Sequence, residues 1–232
     1  MSLNHSPSIV TNGLILHLDA ASSKSYPRTG SLWKDLSPYK NIATIGTPVF
    51  NTSNYGNFLF SGNYGSIPWN AAFPSGNSPR TLFCTFKATQ SQQGEVFGMG
   101  NNTVPGGGKR FGIWCDTTIG LGIEFLGIGL QTVQWPGINN WCHFCAVVPV
   151  GSTLCSQTKL YINGKNIIPS VNGTGTTLLN TVADQVRIAA IPSAEGAAPF
   201  RGNIANIQLY NIALSDSEIL QNFNAIKGRF NL

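Results

Sequence analysis

The sequence predicts an all-β protein, a two-sheet antiparallel sandwich that ends in one short C-terminal helix. Three observations predict it. Turn-forming residues are abundant, with 26 Gly and 13 Pro among 232 residues, as a fold of many short connected strands requires. Apolar residues alternate with period two in several short runs, which places them on one face of a strand. The last thirty residues then change to a helical period behind a clear start signal.

The elements follow in order. Leu14, Leu16 and Leu18 share one face of a first strand, with Ile15 and His17 on the other. A long loop from Asp19 to Pro27 leads to Trp33-Lys34-Asp35-Leu36-Ser37. Further strands are expected at 58–60, 82–88, 96–98, 111–115, 121–126 and 143–148. Within 82–88, Leu82, Cys84, Phe86 and Ala88 form one face and Phe83, Thr85 and Lys87 the other. Residues 158–168 read as a hairpin around Asn163-Gly164, a pair that supplies the two positive φ angles of a type I′ turn. Residues 200–211 read as a buried strand. Ser215 and Glu218 then form a capping box, Leu220, Phe223 and Ile226 an apolar stripe, and Gly228 a stop. With no internal repeat and no linker, residues 13–232 form a single domain behind an N-terminal arm, residues 1–12.

Composition narrows the function classes. Charged residues are only 10% of the chain, against a usual figure of about 25%, so Ser, Thr, Asn and Gln must build much of the surface. The net charge of +5 is spread out. Its densest group, Lys109-Arg110, reads as solvated surface, and no nucleic-acid partner is expected. Five cysteines are present. Cys142 and Cys145 have metal or redox spacing, but in a strand positions i and i+3 face opposite sides, so all five read as small buried hydrophobes. Free thiols point to folding in a reducing cytosol. Met1-Ser2-Leu3-Asn4-His5-Ser6-Pro7 carries no secretion signal, and no apolar run is long enough to insert in a membrane.

Four blocks carry a family resemblance. They are Gly13-Leu14-Ile15-Leu16-His17-Leu18-Asp19-Ala20 with Ser25-Tyr26-Pro27 and Trp33-Lys34-Asp35-Leu36-Ser37; Trp141-Cys142-His143-Phe144-Cys145; Leu160-Tyr161-Ile162-Asn163-Gly164-Lys165; and Phe200-Arg201-Gly202-Asn203-Ile204 through Ile219. In this order they resemble the laminin-G-like, or concanavalin A-like, domains of phages and large DNA viruses. The usual D-L-S-G-N-G-N element is here Asp35-Leu36-Ser37-Pro38-Tyr39-Lys40-Asn41. The resemblance implies the concanavalin A-like jelly-roll sandwich, an inward-packed Trp33 and Trp141, and a core role for His143.

It also raises three chemistries. A retaining glycosidase needs two carboxylates about 5–5.5 Å apart. Among the nine acids only Asp216 and Glu218 are close in sequence, and there they complement a helix N-terminus. No catalytic residue is therefore assigned. Calcium, the family's common ion, is disfavoured. Ser61, Ala205 and Asn163 stand where relatives carry acids, and Asp19 and Asp35 read as turn organisers. No cofactor or metal ligand is assigned. Pro105-Gly106-Gly107-Gly108-Lys109-Arg110 lacks the residues of a phosphate loop and reads as a flexible loop. Glycan binding would use exposed aromatics, and Trp69, Trp114 and Trp135 are the candidates.

The first functional expectation is a non-enzymatic structural or adhesion protein of a virus particle, located in the virion after folding in the host cytoplasm. It would contact other structural proteins, further copies of itself or host-surface glycans. The alternative is a soluble lectin-like carbohydrate-binding module. A glycoside hydrolase ranks third.

Overall fold

The computed structural model describes residues 7–91, 93–118, 120–193 and 197–232. The strands are β1 (Leu14–Asp19), β2 (Leu32–Lys34), β3 (Ile42–Ile45), β4 (Val49–Asn51), β5 (Asn57–Ser61), β6 (Gly65–Pro68), β7 (Arg80–Ala88), β8 (Gln93–Gly100) and β9 (Arg110–Asp116). They continue with β10 (Gly120–Glu124), β11 (Ile128–Thr132), β12 (Cys142–Val148), β13 (Lys159–Ile162), β14 (Lys165–Ile167), β15 (Ser170–Gly173), β16 (Gln185–Ile188) and β17 (Arg201–Tyr210), followed by helix α1 (Asp216–Ile226).

Two antiparallel sheets face each other, as the sequence predicts. One has eight strands in the order β14-β13-β12-β7-β17-β5-β4, with β1 also on β17; the other has nine, β15-β11-β10-β9-β8-β16-β6-β3-β2. Between them lies one continuous apolar core, which includes Leu16, Trp33, Phe58, Phe86, Phe97, Phe111 and Ile207. The period-two runs form the strands expected of them. The run at 121–126 stops at Glu124, because Leu126 and Gly127 turn with φ of 71° and 78°. Strands β2, β3, β4, β6, β11, β15 and β16 have no counterpart among the expected ones. Each is three to five residues long, too short for a periodic signal to develop.

The Asn163-Gly164 turn takes positive φ at both positions, 50° and 74°, and joins β13 to β14. Cys142 lies in the inter-sheet core and Cys145 in a separate cluster on the opposite face of β12. All five thiols are free and buried. The Lys109-Arg110 pair departs from the solvated reading, since Arg110 is 5% exposed. The glycine-rich segment before it is also not free-hanging. Gly108 donates to Leu126 O and accepts from Asn180 N, at 3.2 and 3.0 Å.

Arg80 is fully buried, and among the described residues no carboxylate pairs with it. Its Nε donates to Ser78 O at 2.9 Å, Nη1 to Thr181 Oγ1 at 2.9 Å, and Nη2 to Gly76 O at 2.9 Å. Longer bonds reach Pro74 O and Ser75 O, both at 3.3 Å. Burial lowers the guanidinium to about 9. The planar fork thus replaces its water shell with carbonyls and folds residues 74–78 around itself.

Helix α1 starts with the expected box. Ser215 Oγ accepts from Glu218 N at 3.4 Å, and Glu218 Oε2 accepts from Ser215 N at 2.8 Å. Its buried stripe is Ile219, Asn222, Phe223 and Ile226, whereas Leu220 is 47% exposed. The i, i+3, i+6 reading drifts off the 3.6-residue period, and the polar Asn222 hides the true stripe. Gly228 does not stop the helix in a left-handed turn. It lies inside a 3-10 turn, Lys227–Arg229, which carries Phe230 onto Trp141 with ring centroids 4.5 Å apart.

Asn222 also ties down the start of the chain. Its Oδ1 accepts from Val10 N at 2.8 Å, and Tyr210 Oη donates to Val10 O at 2.8 Å. Of the expected arm, residues 1–6, with His5, lie outside the described residues.

His143 sits under this helix, between Phe83 and Phe223 at centroid distances of 5.3 and 5.6 Å. Burial lowers its pKa from 6.5 to about 3. Between those values the unfolded chain binds a proton that the folded chain rejects. Stability therefore rises with pH from about 3 to 6.5 and falls on acidification through that window. His143→Phe is expected to flatten this acid limb, measured as urea midpoints from pH 3 to 7. An unchanged slope would place the proton uptake elsewhere.

Candidate functional site

Strand parity builds a site on the outer face of the nine-stranded sheet. Phe111, Ile113 and Cys115 of β9 point into the core, so Arg110, Gly112, Trp114 and Asp116 point outward. The register adds their neighbours. Glu95 on β8 lies opposite Trp114, which lies opposite Gly122 on β10, and Gly122 lies opposite Gln131 on β11. One row along, Gly98, Gly112, Glu124 and Gly129 stand side by side. A shift of register between Glu95 and Phe97 brings Glu95 onto this face.

The glycines make room for carboxylates. A Cβ on Gly98 or Gly112 would lie 2.8 or 2.5 Å from Glu95 Cδ, and one on Gly129 would lie 2.6 Å from Glu124 Oε2. Glu95 thus lies flat across the sheet, 0% exposed. Arg110 joins the two acids, with Nη1 at 3.1 Å from Glu95 Oε2 and Nη2 at 3.9 Å from Glu124 Oε1. Its guanidinium also stands 5.7 Å from the centre of the Trp114 ring. Burial pushes the Glu95 carboxyl up to about 8; Arg110 opposes the shift and Glu124 adds to it. The desolvation of Glu95 thus outweighs its ion pair, which lacks hydrogen-bond alignment. Glu124 is also raised by burial, against Arg110.

Arg110 thus stands between the two carboxylates, and Glu95 is sealed from solvent. Trp114 and Glu124 are partly open, so the face can offer an indole plane and a carboxylate edge to a ligand. Sequence inspection misses this cluster because its members come from three strands. The available signal is the recurrence of glycine at alternate positions, as in Gly98-Met99-Gly100 and Gly120-Leu121-Gly122, which marks strands with a crowded face.

The three candidate tryptophans do not share a face. Trp69 packs edge-on against Phe73 at 5.8 Å, and both Trp69 and Trp135 lean on the inter-sheet core. Trp114 alone of the three lies on the outer face of the sheet. Trp33 is fully buried and Trp141 is 9% exposed. Asp19 and Asp35 serve structure. Asp19 binds Arg229 through both oxygens at 3.0 Å, and Asp35 accepts from residues 17, 37 and 41. Among the described residues no group of three His, Cys, Asp or Glu is placed to hold a metal ion. A cleft of about 490 Å³, lined in part by Asn77, Lys109, Thr177 and Asn180, opens beside the glycine-rich segment.

Comparison with known proteins fits this architecture. The family model described as the concanavalin A-like lectin/glucanases superfamily matches residues 61–220, well over half of the chain. The chain belongs to this superfamily. Among solved structures, Trypanosoma rangeli sialidase matches with a TM-score of 0.66 and 19% identity, over 95% of this chain and 34% of that one. The superfamily domain described here thus spans about a third of the sialidase. Domain 4 of AbnA, a GH43 extracellular arabinanase from Geobacillus stearothermophilus solved with arabinotriose, matches with a TM-score of 0.61 and 16% identity, over 92% of this chain and 99% of that one. The binding domain of Paraclostridial mosquitocidal protein 1 matches with a TM-score of 0.60 and 13% identity, over 92% of this chain and 52% of that one. At such identities the likeness is one of fold. No curated protein sequence matches significantly.

Two expectations follow for the cluster. Gly112→Ala should destabilise by about 1–3 kcal/mol by displacing Glu95, and the loss should shrink in a Glu95→Ala background. Equal losses in both backgrounds, read by urea titration, would dissociate the glycine from the carboxylate. The second concerns pH. Because the Glu95 pKa is raised from 4.5 to about 8, the folded chain holds a proton there that the unfolded chain releases. Its contribution to stability is full below 4.5 and lost as pH rises through 8. Glu95→Gln should remove that decline, and a parallel decline in parent and variant would contradict it.

Proposed function

We propose that this protein is a non-catalytic, lectin-like carbohydrate-binding domain whose ligand lies on the outer face of the nine-stranded sheet. The observation that carries the reading is Trp114, partly open in the middle of that face, with side-chain-free Gly122 on one flank. A pyranose or furanose ring can stack on the indole from that flank, where no Cβ competes for the space. The exposed edge of Glu124 supplies an acceptor for sugar hydroxyls. The sealed Glu95 and the intervening Arg110 support a binding role over a hydrolytic one. The arabinanase domain, whose structure holds arabinotriose, supports the same reading by analogy of fold. An adhesive role on a virus particle, meeting host glycans through this face, is the specialised form of the proposal. Its support is the sequence resemblance.

A glycan array with the parent chain and a Trp114→Ala variant tests the reading. Binding to one saccharide class is expected, with a loss of about tenfold or more on removal of the indole. Circular dichroism should confirm that the variant is folded. A blank array, undiminished binding by the variant, or hydrolysis of a bound oligosaccharide would each overturn it.

A further inference from the structure

The far edge of the same sheet offers a different chemistry. A cleft of about 440 Å³ opens there, with Lys24, Lys34 and Lys40 on its lining beside Asp35, Leu36 and Ile42. All three lysines are exposed. The single carboxylate among them is turned inward. Asp35 is 4% exposed. Its Oδ1 accepts from His17 N at 2.8 Å and Ser37 N at 2.7 Å. Its Oδ2 accepts from Ser37 Oγ at 2.7 Å, Asn41 N at 3.1 Å and Asn41 Nδ2 at 2.8 Å. Five donors hold this carboxylate inward, and three ammonium groups against one carboxylate leave the lining with an excess of positive charge. Asp19, at the end of β1 in the other sheet, is held by Arg229. The ammonium groups therefore set the field in the cleft.

Lys40 is the most telling of the three. It adopts φ 54°, the left-handed region that costs a non-glycine residue about 1 kcal/mol. Ser37 O accepts from Lys40 N at 3.4 Å to close the turn, and the Asp35–Asn41 bonds fix the residue that follows. Glycine would satisfy this backbone without strain. Lysine instead bears the strain and puts a third cation on the rim.

We infer that this cleft binds an acidic saccharide, with sulfate or carboxylate groups on the three ammonium groups and a sugar ring against Leu36 and Ile42. Ile42 is 46% exposed and offers an aliphatic wall. A nucleic acid fits less well. The cations surround one compact cleft instead of tracking a backbone, and no aromatic side chain lines it for base stacking. The site is separate from the Trp114 face. β2 and β9 are five strand spacings apart in the sheet order, roughly 24 Å at about 4.8 Å per strand.

The test is calorimetric titration with a sulfated uronate–hexosamine hexasaccharide and its desulfated counterpart, at about 50 mM salt, where screening is moderate. The sulfated probe is expected to bind and the desulfated one to bind at least about tenfold more weakly. Lys24→Gln/Lys34→Gln/Lys40→Gln should lose about tenfold or more. Lys159→Gln/Lys165→Gln, which neutralises exposed lysines of the other sheet, should bind as the parent does. Lys40→Gly should be more stable than the parent yet weaker in binding, which separates charge from folding. Equal loss in the Lys159/Lys165 variant, equal binding of the desulfated probe, or no binding at all would overturn the inference. Tighter binding of a single-stranded oligonucleotide of matching charge would transfer the site to nucleic acid.

Discussion

The double-sided pairing of β17 is the constraint on which the rest of the eight-stranded sheet depends. One edge of this ten-residue strand pairs with β7, and the other pairs first with β5 and then with β1. An irregularity between Ile204 and Asn206 lets Ala205 and Asn206 both face outward while Ile204 and Ile207 both reach the core. Beyond it Asn206, Gln208 and Tyr210 form a polar ladder under helix α1. Gln208 Nε2 donates to Asn206 Oδ1 at 3.0 Å, and Gln208 Oε1 stands 3.1 Å from Tyr210 Oη. Asn222 Nδ2 reaches both Gln208 Oε1 and Tyr210 Oη. The first strand, the last strand and the helix must therefore assemble together. Pairings of such sequence separation make for slow, strongly cooperative folding.

What the sequence disclosed was local. The capping box at Ser215, the Asn163-Gly164 turn and the opposed faces of Cys142 and Cys145 each depend on residues a few positions apart, where geometry follows from spacing. Leu220 shows how that fails, because a polar Asn222 in the buried stripe disguised the period. The Glu95–Arg110–Glu124 cluster could not be read in the same way. Its residues meet only through the registers of β8 with β9 and β9 with β10, which no local pattern specifies. Of the candidate tryptophans, sequence could identify the residue type but not the face, and the face is what separates Trp114 from Trp69 and Trp135.

A chain with few charges places several of them inside. Each buried charge is held by a different device. Arg80 is surrounded by carbonyls, Asp35 by backbone and amide donors, and Glu95 by a guanidinium and by its own raised proton affinity. Removing one partner from such a group costs more than the bond itself, because the remaining charge stays desolvated. Low charge content therefore did not mean that the charged residues were surface decoration. Arg110, half of the densest basic pair, is at the centre of the candidate site.

Three of the five buried thiols give the molecule an internal gauge of its own breathing. Cys84 and Cys142 lie in one sheet and Cys115 in the other, all within the inter-sheet core. Burial raises the pKa of every cysteine, that of Cys115 to about 12, so reactive thiolate is scarce while the sheets stay closed. Alkylation of Cys84, Cys115 and Cys142 must then wait for the layers to part. Where the reagent outpaces reclosing, its rate reports the frequency of that opening. The native cysteines thus act as reporters already installed at the seam between the two sheets.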